Sequence, residues 1–344
     1  MKKNYFFKRL SCLLLALVLL LSGCNRGNQD PTNANTQPPT APTQTHPPAT
    51  DPPVTDPPAT DPTETVPPET DPPGTEPAET APPATEPPET EPPATIPPET
   101  GDPNDPIGDR YTRGQLLELP NDPIGYGCGT TKNGKRAPYA LQEQKKYGHL
   151  NALFIGEDIP SIYLTFDCGY EYNQNTAAIL DILKEKDAKA VFFITGNYAK
   201  KNPELVRRMI DEGHVVGSHS NKHPNMTTLN IDGMASEITT IHDYVWAHYG
   251  YEMTLFRPPE GAFSQRSLAV AESFGYKSVF WSVAYVDYNV DDQPDVEDSL
   301  KKMQKRAHNG AIYLLHALSN TNVAILGDLI DSLRAEGYSI DLLS

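Results

Sequence analysis

From residue 111 onward, short apolar runs alternate with amphipathic stretches. The runs at 162–166, 190–195, 214–218, 254–257, 278–282, 311–316 and 338–342 are rich in β-branched and aromatic side chains, which is the pattern of strands. Between them, 175–186, 203–212, 232–249, 265–274, 294–307 and 323–336 carry helical patterns. In the first of these Ile179, Ile182 and Leu183 share one face. Pro203 stands where a helix can begin and Gly213 where it can stop; Gly250, Gly275, Gly310 and Gly337 close others. Seven strands alternating with six helices predict parallel pairing through crossover connections. About 230 residues is the size of a (β/α) barrel, whose chemistry sits at the carboxyl ends of its strands. Asp167, His219, Arg257 and His316 all fall at such ends. A doubly wound open sheet is the alternative, but the first strand-to-helix turn lacks a glycine-rich phosphate loop.

The first 110 residues follow neither pattern. Lys2, Lys3, Lys8 and Arg9 precede a wholly apolar run, 13–21, too short to span a bilayer comfortably. The run leads into Leu21-Ser22-Gly23-Cys24, which resembles the bacterial lipobox. That resemblance implies a lipoprotein signal over 1–24, cleavage before Cys24 and a lipid anchor on its sulfur, holding the protein to a membrane without spanning it. Residues 25–110 are dominated by Pro, Thr and acids, with units such as Pro67-Pro68-Glu69-Thr70. With almost no large aliphatics no core can offset the entropy of ordering, so the segment is expected to be a disordered linker before a domain at 111–344. Fully extended, it would reach roughly 250 Å. Of the formal net charge of −17, this linker carries −14, from sixteen acids against Arg26 and Arg110. The remainder is only mildly acidic and offers no basic face for nucleic acid.

Four residue types give the domain its candidate chemistry. His219 and His223 are four apart; on a helix both rings would share a face suited to zinc. Asp167 ends a strand before Cys168-Gly169, as a base or ligand would, or as an Asx turn would. Arg257, stiffened by Pro258 and Pro259, can fix a carboxylate through a bidentate fork. His316 ends an apolar strand, where it can act as a general acid, with Asp287 to hold it and Trp281 to wall a pocket. His214 reads as structural. Cys12 leaves with the signal, and no disulfide between Cys128 and Cys168 is expected, since a domain of this size buries a core unaided.

The order of Thr165-Phe166-Asp167-Cys168-Gly169, His219-Ser220-Asn221-Lys222-His223, Arg257-Pro258-Pro259-Glu260-Gly261, the segment from Trp281 to Asp287, and Leu315-His316 resembles the polysaccharide deacetylase family. This is the family of NodB-homology domains, or carbohydrate esterase family four. The resemblance implies a distorted seven-stranded (β/α) barrel and metal-dependent removal of acetyl groups from glycans. It casts Asp167 as catalytic base, Arg257 as the arginine that orients it, His316 as acid and Asp287 as its support. It casts His219 and His223 as metal ligands and the Glu260 backbone N–H as oxyanion donor. Three positions depart from the common pattern: Cys168 where a second Asp ligand is usual, Glu260 in place of Tyr, and Tyr288 in place of Trp. The first departure, with Tyr170 and Glu171 beside it in the pocket, resembles the muramic-acid deacetylase branch. Cys168 then completes a Cys-His-His zinc site or merely fills space. The implied substrate is peptidoglycan, most nearly its N-acetylmuramic acid, outside the membrane of a Gram-positive cell. N-acetylglucosamine polymers, other acetylated glycans, or a non-catalytic wall-binding role with a degenerate metal site are the alternatives.

Overall fold

The computed structural model describes residues 96–131 and 134–343. The expected signal with Cys24, and the linker as far as residue 95, lie outside the described residues. Residues 96–110, read from composition as linker, instead join the fold. The Glu99 carboxylate accepts a hydrogen bond from the Ile231 N–H at 3.2 Å and faces Arg113 and Arg266 at 3.8 and 3.5 Å. Asn230 Nδ2 donates to the Pro98 carbonyl at 3.1 Å. A helix N-terminus and two guanidiniums give this glutamate partners that local composition cannot reveal. Pro106–Ile107 (β1) pairs antiparallel with Tyr111–Thr112 (β2), and Arg113–Leu117 (α1) starts from a capping box of Thr112 and Gln115.

Next come Ile124–Gly125 (β3), Pro138–Tyr147 (α2) and the main sheet. Its strands are Ala152–Leu153 (β4), Ser161–Cys168 (β5), Val191–Ile194 (β6), Val215–Ser218 (β7), Leu255–Phe256 (β8), Lys277–Val279 (β10), Ala311–His316 (β11) and Ser339–Asp341 (β12). The short Ala262–Phe263 (β9) pairs with β3 instead. The sheet runs β11-β5-β6-β7-β8-β10-β4, every pair parallel, with β12 beside the start of β5. All seven expected strands are present. The two-residue β4 was not expected, because so short a piece shows no period.

Helices Asn175–Glu185 (α3), Gly196–Lys201 (α4), Pro203–Asp211 (α5), Ile231–Tyr249 (α6), Gln265–Ser273 (α7), Val296–Lys305 (α8) and Asn320–Ala335 (α9) supply the crossovers. Beyond β10 the chain swings back to β11, where Leu314 N–H donates to the Val283 carbonyl at 2.9 Å. The result is the expected α/β class: a curled parallel sheet, a half-barrel rather than a uniformly closed one. Behind its rim Phe154 and Phe280 stack at 4.2 Å, with Tyr126 edge-on to both. Among the described residues, no helix is long and apolar enough to cross a membrane.

Candidate active site

Successive strand residues face opposite ways, and β5 uses this to divide its labour. Thr165 and Asp167 point into the half-barrel, while Phe166, stacked on Phe192, faces the helices. Asp167 lies in register with Phe193 of β6, and Phe193 with Gly217 of β7. A Cβ at Gly217 would come within 2.6 Å of the Phe193 ring, so only glycine lets that ring lie flat across β7. The ring in turn carries the Arg257 guanidinium at 4.2 Å. Arg257, just past β8, is fully buried. Its Nη1 donates to Asp167 Oδ1 at 2.8 Å, its Nη2 to Thr165 Oγ1 at 2.8 Å and the Phe280 carbonyl at 3.1 Å, and its Nε to the Val279 carbonyl at 3.1 Å. The expected bidentate fork is therefore not formed. One N–H holds the carboxylate and the others hold the arginine, because β5 and β10 present acceptors in the plane of the guanidinium. Burial pulls the Asp167 carboxyl upward, but Arg257, by its charge and hydrogen bond, with the neighbouring His219 and His316, outweighs it, leaving the pKa below the ordinary carboxylate value.

The two histidines reach the same place without a helix. Residues 219–223 form a loop in which Ser220 and His223 have φ of 64° and 63°, which corrects the helical expectation. The ring centroids are 4.7 Å apart. His219 Nδ1 sits 2.9 Å from the Arg257 carbonyl, so Nδ1 carries the proton and Nε2 presents its lone pair, 3.5 Å from Asp167 Oδ2. Burial pushes the His219 pKa down to about 4, so the ring is neutral. A neutral imidazole oriented by a carbonyl is what a metal ligand requires; on that ground His219 fits a divalent ion, and the His223 ring stands beside it. Among the described residues no group of three His, Cys, Asp or Glu side chains forms a complete metal cluster.

Cys168 does not supply the third position. It pairs with Ile194 one step beyond Asp167, so its thiol lies on the helix side of β5, and it does not line the cavity. Burial raises its pKa well above the usual thiol value. Cys128 is likewise free and buried.

His316, at the end of β11, lies in register with Asp167 on the neighbouring strand β5. Its Nδ1 lies 2.7 Å from Asp287 Oδ1, and its backbone N–H donates to Asp287 Oδ2 at 2.8 Å. Sequence reasoning missed the next member. Asn322 Nδ2 donates to Asp287 Oδ2 at 2.6 Å and to the His316 carbonyl at 3.0 Å, while its Oδ1 accepts from the Tyr285 hydroxyl at 2.5 Å. The signal was present in Ser319, the N-cap of α9, which starts that helix three residues before the expected 323. Burial lowers the His316 pKa, but the charge and hydrogen bond of Asp287, with help from Asp167, raise it overall above the ordinary histidine value.

Two expectations follow. Activity that needs protonated His316 should persist above pH ~6.5 and fall at higher pH, and Asp287→Asn should move that alkaline limb to lower pH in a kcat/KM profile. Asn322→Leu should cost about tenfold or more in kcat on an acetamide while sparing 4-nitrophenyl acetate, whose leaving group needs no proton. Equal losses on both substrates would reduce Asn322 to a folding role.

These groups open onto a cavity of about 730 Å³, lined also by Tyr170, Lys222, Glu260, Gly261, Trp281 and Tyr288. Glu260 has φ 61°, so its peptide is turned relative to the neighbouring strands, and Gly261 follows at φ 66°. A Cβ on Gly261 would meet the Trp281 ring at 2.7 Å, so glycine here lets the loop close over the indole. Tyr126, from a region with no function legible in sequence, fixes that wall by donating its hydroxyl to the Trp281 carbonyl at 2.7 Å. Glu171 is not in the pocket as expected. It accepts from the Thr176 N–H at 3.1 Å and the Tyr198 hydroxyl at 3.2 Å, bracing the start of α3. His214 accepts the Ala190 N–H at 3.2 Å inside the core, and burial lowers its pKa to about 4.

A parallel half-barrel here bears a held carboxylate and a held imidazole at its carboxyl rim, groups suited to acid–base chemistry, and comparison with known proteins gives the class. Residues 156–279 match the family model described as polysaccharide deacetylase. The peptidoglycan-N-acetylmuramic acid deacetylase PdaA of Bacillus subtilis is 39% identical over 227 residues, 65% of this chain and 86% of that protein. Its solved structure, described as a family 4 carbohydrate esterase, superposes with a TM-score of 0.61 at 37% identity, covering 65% of this chain and 96% of that one. The chain belongs to the polysaccharide deacetylase family. A peptidoglycan-N-acetylglucosamine deacetylase, PgdA of Listeria monocytogenes, is 37% identical over 177 residues, 52% of this chain and 36% of that protein.

Proposed function

We propose that this protein removes the N-acetyl group from N-acetylmuramic acid residues of peptidoglycan, using a divalent metal. The observation that carries the reading is the meeting, in one cavity, of an Arg257-held carboxylate and an Asp287-held imidazole beside His219 and His223. Asp167, kept ionised by Arg257, takes a proton from water as the oxygen attacks the acetyl carbon. The backbone N–H of Glu260 donates to the oxyanion. His316 gives a proton to the sugar nitrogen as the C–N bond breaks, so acetate leaves and a free amine remains. When bound by His219 and His223, the ion supplies Lewis-acid polarisation of the carbonyl, and two imidazoles favour zinc. Trp281 and Tyr170 wall the sugar site.

The similarity to PdaA supports muramic acid as substrate. The similarity to PgdA supports a second reading, N-acetylglucosamine. The lipobox-like Cys24 and the linker support action outside the cell, on the wall beside the membrane that holds the anchor. The test is acetate release from purified peptidoglycan, with and without prior amidase treatment, with added zinc or with chelator. Zinc-dependent release from amidase-treated wall supports the proposal, and release from N-acetylglucosamine polymers alone transfers it to the second reading. No release from any glycan with metal supplied leaves a wall-binding protein. His219→Ala with His223→Ala should abolish zinc binding by calorimetry and acetate release together, and turnover that survived would remove the metal from the mechanism.

A further inference from the structure

We propose that Lys222 reads a carboxylate carried by the carbon next to the acetamide, and so makes the cavity selective for a 3-O-lactyl hexosamine over an unsubstituted one. This rests on the muramic-acid reading and adds the residue that would enforce it.

Lys222 lies between His219 and His223 in the loop after β7 and lines the cavity. Its position is fixed from behind. The Lys222 N–H donates to Glu237 Oε2 at 2.7 Å, and the Asn221 N–H to the Glu237 carbonyl at 3.0 Å, so α6 pins both residues. Among the described residues lining the cavity, Lys222 is the only lysine or arginine, and no carboxylate of the described residues forms an ion pair with its ammonium. Arg257 is fully buried and committed to Asp167, and the His316 imidazole is held by Asp287.

The substrate's own chemistry sets where a reader must stand. In N-acetylmuramic acid the acetamide is on C2 and the lactyl ether on O3, so the carboxylate lies beside the bond to be broken. A cation that meets it must therefore border the groups acting on the acetamide, as Lys222 borders both histidines. A lysine ammonium is a compact point charge on a flexible stem, able to follow a rotating lactyl arm. When a peptide caps the lactyl group, the carboxylate becomes a neutral amide and this attraction is lost.

The test is the ratio of two affinities, measured on the full-length protein by NMR titration with N-acetylmuramic acid and with N-acetylglucosamine. The wild type should favour the muramic sugar about fivefold, the scale of a solvent-exposed ion pair, and added salt should shrink the ratio. K222M should bring the ratio to about one, K222E should invert it, and K222R should keep it. Equal binding by the wild type, or a preference surviving in K222M, overturns the assignment. Acetate release from each polymer judges the proposed function separately, so the two can fail independently.

Discussion

Asp167→Asn is expected to lower kcat on the order of 10²–10⁴-fold, the contribution of a positioned general base. The amide keeps an oxygen for Arg257 Nη1, now at 2.8 Å from the carboxylate, but it cannot accept the proton of the attacking water. His219 and His223 are untouched, so zinc content measured by elemental analysis should remain. This pairing of results separates a base from a ligand. A variant that loses metal with activity would make Asp167 a ligand first, and one that keeps turnover would remove it from the reaction.

Arg257→Met should have the largest effect on stability, about 3–5 kcal/mol, because it leaves the buried Asp167 charge without a partner. Its pH dependence should reverse sign. In the wild type the folded-state pKa of Asp167 is depressed, so the pair adds stability above the unfolded carboxylate pKa and loses it as pH falls through the folded value. In the methionine variant the charge and hydrogen bond of Arg257 are gone, and burial, opposed only by His219 and His316, is expected to raise that pKa. Asp167 is then protonated in the folded state, and stability is greatest in acid and declines as pH rises through the raised value. Thermal denaturation between pH 5 and 8 should show the variant losing stability toward the alkaline end. Adding Asp167→Leu should restore much of the loss, since removing both charges leaves neither one stranded; a double variant no more stable than the single would mean that the pair is not the source.

The strands and most helices were legible because each buries a continuous apolar face, and burial is what hydrophobic periodicity records. Asp167, Arg257 and His316 were legible as polar groups closing such runs. What failed was contact between distant segments. Glu99 looked like one more acid in a repetitive tract until Arg113, Arg266 and the first turn of α6 were placed around it. The 219–223 loop kept its histidines together through two positive φ angles at non-glycine residues, which no spacing rule anticipates. Cys168 is a different case. It ends β5 one step beyond the inward Asp167, buried and away from the cavity, and only the packed structure shows on which side of the strand its thiol lies.

The contacts of Glu99 also link the start of the fold to the site. Its carboxylate grips the N-terminus of α6, and Glu237 on that same helix holds the Asn221 and Lys222 amides of the histidine loop. The segment that begins the described residues is thus joined to the helix that braces the histidine loop. Glu99 and the histidine loop therefore share one support, the stretch of α6 from Ile231 to Glu237.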